Sequence, residues 1–322
     1  MRHYEFPSWL ADPFQRHVAL KRAGSRDFST QAYLLSRFDR YLEAKGISTH
    51  LTRADLHDYL DSLRHLSPRG RDNVVCVVWP ALAFARRHGA AIESLPERPR
   101  PAPATARLRE PFVLSLSQVE RLLAATHRLA PKRPYAPRTY ATFFGLLYTT
   151  GLRVGEACTL DVGDFDRRDA TLLVRAGKFR KTRLLPIPTS TALALGRYLD
   201  DPIRPALTAD ETPCFVSSGR RRLTREAARH MLRKAAILAD VKDAGRPPRP
   251  HDLRHTFAVH RVLTWYREGR DVNALLPVLS TYLGHVRPSH TYTYLRSAEL
   301  LINEAAQRFE RSADLALEAR PT

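Results

Sequence analysis

The sequence predicts a mostly α-helical fold with a small β-sheet, divided into two parts. Three observations predict it. Apolar residues recur at helical spacing through most of the 322 residues. Two short runs alone, Ala170–Val174 and Arg183–Ile187, read as strands, and they flank A-G-K-F-R-K-T as a hairpin would. From Pro96 to Pro111, prolines at 96, 99, 101, 103 and 111 alternate with arginines, which disfavours helix and favours an extended, semi-rigid connector. Length agrees, since domains of roughly 100–200 residues make two the natural number. The expected division is a helical unit over 1–95, a linker over 96–111 and a second unit over 112–322.

Each element has its own signal. Gln31–Lys45 carries Tyr33, Leu34, Leu35, Phe38, Tyr41 and Leu42 on helical spacing, and Gly46 stops it. Thr52 suits the N-cap of a helix over Arg53–Leu66. Residues 69–88 form a third helix with Val74, Val75, Val78, Leu82 and Phe84 as its core face and a kink expected at Pro80. Beyond the linker, Ser117 is the expected cap of a helix reaching Leu129. Residues 138–150 make an apolar helix that runs into G-L-R-V-G-E. After the hairpin, helices are expected over 189–200, 224–239, His251–Arg267, Asn273–Leu283 and Ser289–Phe309.

Composition narrows the function. Lys and Arg number 52 against 33 Asp and Glu, a net charge of +19. The pI is near 10.4. A chain this basic repels itself unless it meets a polyanion, and the commonest is nucleic acid. Most of the bases are Arg, whose planar fork suits phosphate and guanine, so the few lysines draw notice wherever they are well placed. Cys76, Cys158 and Cys214 form no C-x-x-C pair and no zinc set. No apolar stretch resembles a signal peptide or a membrane helix. These features point to a cytoplasmic, nucleoid-associated protein rather than a secreted or membrane one.

Four segments carry chemistry together. In T-T-G-L-R-V-G-E, Gly151 breaks a helix and Arg153 is expected in the first turn of the next, with Glu156 three residues on. An Arg there suits a phosphate, and an Arg–Glu pair is the plainer alternative. In A-G-K-F-R-K-T-R, Lys178 sits at the turn, where a long side chain can reach a neighbouring site. In P-H-D-L-R-H-T-F-A, His251 and Arg254 are three apart and share a helix face, which suits a phosphate oxygen and a proton transfer, while His255 is expected to point elsewhere. In T-Y-L-G-H-V-R-P-S-H-T-Y-T-Y-L, Gly284 ends a helix, His285 follows, and Tyr294 lies nine residues later. Tyr292 is a rival, but two residues turn a helix through about 200°, so both cannot face one phosphate.

In this order the four segments resemble the tyrosine recombinase (phage integrase) family, whose signature runs Arg, Lys, His-x-x-Arg, His or Trp, then Tyr. Arg153, Lys178, His251, Arg254 and His285 fall on its first five positions and Tyr294 on its nucleophile. The resemblance is motif-level over about 145–300 and architectural over 20–140, where it implies a SAM-like core-binding domain. The Y-L-G-H to A-E-L-L stretch is similar to transposon-borne members. The family's hairpin usually reads G-K-G-x-K-x-R; here Phe179 replaces the second Gly, and Lys181 is a lesser candidate for the lysine. The segment 261–280 is longer than the family's commonest spacing.

The resemblance implies a reaction. A tyrosine oxygen attacks a DNA phosphodiester, giving a 3′-phosphotyrosyl link and a free 5′-hydroxyl. Arg153 and Arg254 would hold the nonbridging oxygens, His251 would assist proton transfer, Lys178 would protonate the leaving oxygen and His285 would bond a nonbridging oxygen. It implies no cofactor and no metal. It also implies double-stranded DNA sites, a dimer on each site, a homotetramer with a Holliday junction, and accessory recombinases as possible partners. The helix after Tyr294, with Leu300, Leu301, Ala305 and Phe309 on its apolar face, would pack on a neighbouring protomer or on its own domain. The rival readings are a type IB topoisomerase-like strand transferase, a non-catalytic DNA-binding accessory protein, and an RNA-binding protein accounted for by charge alone.

Overall fold

The computed structural model describes residues 4–24, 28–94, 112–130, 132–175, 182–205, 212–217 and 219–284, together with Thr291 and Tyr294. It divides into two compact units, Met1–Glu110 and Pro111–Thr322. The expected linker, 96–111, lies outside the described residues.

The first unit is helical. It contains α1 (Ala11–Ala23), α2 (Ser29–Ala44), α3 (Arg53–Ser62) and α4 (Pro68–Arg87). Thr52 caps α3 as expected: its hydroxyl accepts from the Asp55 backbone, and the Asp55 carboxylate accepts in return from the Thr52 backbone. The helix stops at Ser62 and tightens into a 3₁₀ turn over Leu63–His65, four residues short of the expected regular end at Leu66. α4 starts on Ser67 as cap and Pro68 in the first turn, where a missing N–H costs nothing. It continues unbroken through Pro80 to Arg87. α4 packs on both α1 and α2. Phe14, Leu35, Phe38, Leu42, Val78 and Leu82 are fully buried between them. α1 has no counterpart in the expected helices, because only Phe14, His17 and Val18 along it are buried and no side chain caps it.

The second unit is built around α6. Its elements are α5 (Leu116–Ala125), α6 (Tyr135–Thr150), α7 (Val154–Cys158), β1 (Phe165–Asp166), β2 (Thr171–Val174), β3 (Arg183–Pro186), α8 (Thr189–Leu199), α9 (Arg225–Leu238), α10 (Pro250–Arg267) and α11 (Val272–Leu283). The cap of α5 is Ser115, not Ser117. Ser115 accepts from the Gln118 backbone while Gln118 reaches back to the Ser115 backbone, so the S-x-x-Q box wins over a serine already inside the helix. The helix ends at Ala125 with a 3₁₀ turn over Thr126–Arg128. α6 begins three residues earlier than expected, and Pro137 is accommodated in its first turn. Tyr140, Phe143, Phe144 and Leu147 of α6 are fully buried, which is why this helix reads as apolar on more than one face. α10 and α8 pack against it.

The sheet is antiparallel in the order β1-β2-β3. Leu172 pairs with Leu185, and Val174 with Arg183. Alternation turns Leu172, Val174 and Leu185 inward and leaves Leu184 exposed. The two expected strands are thus present and paired as a hairpin's strands are, with a two-residue third strand added. The residues between them, 176–181, lie outside the described set.

Two helices end in the same way. Gly151 closes α6 and Gly284 closes α11, each with a left-handed backbone, φ 62° and 66°. A Cβ on Gly151 would lie 2.5 Å from Phe257 Cδ1 and 2.8 Å from Leu283 Cδ2, so glycine is required by both backbone and packing.

Candidate active site

The two glycine turns face the same side chain. Arg254, on the first turns of α10, is 1% exposed. Its Nη1 donates to the Gly151 carbonyl at 2.7 Å and its Nη2 to the Leu283 carbonyl at 2.7 Å. One guanidinium therefore ties the turn that precedes Arg153 to the turn that precedes His285. Its Nε is buried with no hydrogen-bond partner among the described residues. Burial and the nearby Arg153 charge lower its pKa to about 10, so it stays cationic at neutral pH.

Arg153 is the N-cap of α7, with extended backbone, rather than a first-turn residue. The correction is one position, and it matters: an extended residue points its side chain across the helix start. Nη2 donates to the Gly284 carbonyl at 2.9 Å, and Nη1 donates to Glu156 Oε1 at 2.8 Å. Glu156 is a hub. It also accepts the Arg153 backbone N–H at 3.1 Å and two bonds from Arg183, at 3.0 and 3.3 Å. Its carboxyl is buried, which alone would raise its pKa, yet Arg183 first and Arg153 second hold it below the usual glutamate value. The Arg–Glu pair expected as the plainer alternative for Arg153 is therefore present.

Tyr294 is 2% exposed and belongs to the apolar cluster of α10 and α11, with Phe257, Val262, Leu279 and Leu283. Burial raises its pKa; the Arg254 charge, a hydrogen bond from that guanidinium and the Arg153 charge pull the other way. Burial wins, so the resting phenol carries its proton. His255 corrects an expectation. It does not point away: its ring meets His251 edge-on at 4.5 Å and Tyr294 at 5.3 Å. Positions four apart on a helix share a face, and His251 and His255 are such a pair. Burial, then the His251 charge, lowers His255 to about 4. His251 shows an exposed edge to solvent, while the atoms crowded about it and the Arg254 charge keep its pKa below the ordinary histidine value. Both imidazoles are therefore neutral at pH 7, and a neutral imidazole accepts a proton.

Four of the six expected residues, Arg153, His251, Arg254 and Tyr294, are gathered here. Lys178 and His285 lie outside the described residues, as do the rival Tyr292, the lesser candidate Lys181 and the expected helix beyond Ser289 apart from Thr291 and Tyr294. Arg183 had no assigned role beforehand, although it stands on the last position of the G-K-x-x-K-x-R pattern. Among the described residues no group of His, Cys, Asp or Glu is placed to hold a metal ion, and no helix is long and apolar enough to cross a membrane.

Two arginines are thus tied to the carbonyls of two glycine turns, beside a buried tyrosine whose ring meets His255 and, through it, His251. Residues 113–300 match the model of the phage integrase family. The chain belongs to that family and is a tyrosine-type site-specific recombinase. It is 35% identical over 305 residues to the protein designated integrase/recombinase y4rE of Sinorhizobium fredii, covering 94% of this chain and 96% of that one. It is 33% identical to the tyrosine recombinase XerC of Mycobacterium leprae over 82% of this chain and 94% of the relative. Among solved structures, the XerH recombinase bound to palindromic difH in a post-cleavage complex superposes with a TM-score of 0.62 at 19% identity, covering 87% and 79% of the two chains. The Tn1549 transposon integrase in complex with transposon right end DNA gives 0.62 at 16% identity, covering 92% and 98%. At these identities the structural likeness is one of fold.

Proposed function

We propose that the chain cuts and rejoins double-stranded DNA at specific sites, one strand at a time, with Tyr294 as the nucleophile. The observation that carries this is the Tyr294 phenol, hydrogen-bonded by Arg254 and within the field of Arg153. When a phosphate enters, the two guanidiniums bind its nonbridging oxygens and meet the charge that grows in the transition state. The phenol proton passes toward neutral His251, and the phenolate oxygen bonds to phosphorus. The bond from phosphorus to the 5′ oxygen breaks, and Lys178 delivers a proton to that oxygen. His285 holds a nonbridging oxygen. The products are a 3′-phosphotyrosine and a 5′-hydroxyl. Because the phosphodiester energy is kept in the covalent link, a 5′-hydroxyl from a second duplex reverses the step without ATP.

Two rounds of exchange through a Holliday junction recombine two duplexes. That requires four such sites, so the working assembly is a homotetramer with a dimer on each DNA site. The first unit, 1–95, serves as the core-binding domain, the linker 96–111 joins it, and 112–322 carries catalysis. The relatives favour strand exchange over topoisomerase-like relaxation: the solved neighbours include a recombinase on its difH site and an integrase on transposon DNA.

The test is covalent trapping on nicked suicide duplexes taken from DNA flanking the gene, without metal or ATP. A protein–DNA adduct mapped to Tyr294 by mass spectrometry is expected. Tyr294→Phe is expected to lose the adduct and keep its DNA affinity. An adduct that persists in Tyr294→Phe and disappears in Tyr292→Phe would move the nucleophile.

A further inference from the structure

Helix α10 reaches Tyr294 at two places. The Arg254 guanidinium donates a hydrogen bond to the phenol oxygen. The next residue, His255, meets the tyrosine ring itself: the two rings stand 5.3 Å apart between centroids and are inclined at 67°. Consecutive helix positions point about 100° apart, so the two side chains approach the tyrosine from different directions. A ring held only at its hydroxyl is free to tilt and to turn about its long axis. A second contact on the ring removes that freedom.

His255 bears on the other reacting group as well. Its ring meets that of His251, one turn back on α10, at 4.5 Å and 83°. One imidazole is therefore in edge contact with both the base and the nucleophile of the proposed reaction. Its pKa of about 4 leaves it uncharged at neutral pH, so it offers its neighbours a ring and not a charge. The arginine does not depend on it: the two Nη atoms of Arg254 are anchored on the Gly151 and Leu283 carbonyls. Removing the His255 ring thus leaves the fork at its two turns and opens space against the Tyr294 ring.

We propose that His255 is a positioning residue for the nucleophile, setting the Tyr294 phenol against Arg254 and His251 through the bulk of its ring rather than by carrying a proton. This rests on the reading of Tyr294 as the nucleophile. A misplacement of about 1 Å is enough to cost on the order of a hundredfold in an attack of this kind.

The test is single-turnover cleavage of nicked suicide duplexes by the full chain, measured over a range of DNA concentrations. His255→Ala is expected to lower the rate at saturating DNA about ten- to a hundredfold and to leave the half-saturating DNA concentration within about twofold of wild type. His255→Phe and His255→Leu restore bulk, and neither can carry a proton. At least one of them is expected to return to within about threefold of the wild-type rate. Phe is larger than His and Leu closer to it in size, so a fault of fit in one variant does not decide the result. Recovery in neither overturns the proposal and makes the imidazole nitrogens the working part. A His255→Ala rate within about threefold of wild type also overturns it, as does a change confined to the half-saturating concentration. If Tyr294→Phe forms the adduct as fast as wild type, the reading of the nucleophile fails first and the proposal with it. Tyr294→Phe inactive beside His255→Ala at full rate sinks the proposal alone.

Discussion

Replacing Glu156 with Gln tests the hub of the site, and its size follows from the contacts. The carboxylate is 5% exposed and faces two guanidiniums that are 25% and 17% exposed. Removing one partner from a buried ion pair costs about 3–5 kcal/mol, chiefly through the charge left behind. Here the stranded charges belong to arginines that keep some water and keep backbone carbonyls, Gly284 for Arg153 and Tyr282 for Arg183. The cost falls accordingly to about 2 kcal/mol. In a unit spanning Pro111–Thr322, each kcal/mol shifts the midpoint by about 2–4 °C, so Glu156→Gln is expected to melt about 4–8 °C below wild type near pH 7. The pH dependence is the stronger check. Glu156 has a folded pKa below its ordinary value of 4.5. Its contribution is fully present above the unfolded pKa and is lost as pH falls through the folded one. A protonated Glu resembles Gln, so the gap between the two proteins should hold from about pH 7 down to about 4.5 and close as the pH is lowered further, through the folded pKa. Thermal melts of the full chain, read by intrinsic fluorescence across that range, measure it. A gap that is the same at every pH, or a gap below about 1 °C near pH 7, would refute the ion-pair account.

Two further outcomes are expected. Gly151→Ala combines a left-handed backbone with a Cβ placed 2.5 Å from the Phe257 ring. It should lose about 2–5 kcal/mol in urea unfolding, and a loss under about 0.5 kcal/mol would mean that Phe257 and Leu283 yield freely. Reducing the chain to residues 112–322 should weaken DNA binding and flatten its dependence on salt, because the first unit's arginines would no longer displace counterions; an unchanged slope would remove that unit from the DNA interface.

How much of this was legible in the sequence depended on whether a signal was local. Thr52 caps its helix as its residue type suggests, and glycines 151 and 284 close helices where the pattern stops. Ser117 misled because two serines stand in one S-L-S-Q stretch, and only the reciprocal bond with Gln118 selects Ser115. α1 was silent because a helix covered on one narrow stripe by Phe14, His17 and Val18 leaves little periodicity to read. At the site, Arg153, His251, Arg254 and Tyr294 announced themselves by order and spacing. The bonds from Arg183 to Glu156 and from Arg254 to the Gly151 carbonyl cross 27 and 103 positions, and no local pattern encodes them. His255 was a different case: its four-residue offset from His251 puts it on the same face by helix arithmetic alone, while its contact with Tyr294 is tertiary.

The position of Arg254 beneath two helix ends has a mechanical consequence. A free arginine side chain carries about 2 kcal/mol of rotamer entropy. In this chain that freedom is surrendered once, during folding, because the guanidinium is already anchored to the Gly151 and Leu283 carbonyls. In the proposed reaction, an arriving phosphate would meet a donor that needs no search. The same anchoring makes the grip collective: load placed on Arg254 is carried into two turns more than a hundred residues apart in sequence. Arg153 follows the first of those turns, so in the proposed reaction tension on a bound strand would be spread over both turns rather than borne by one side chain.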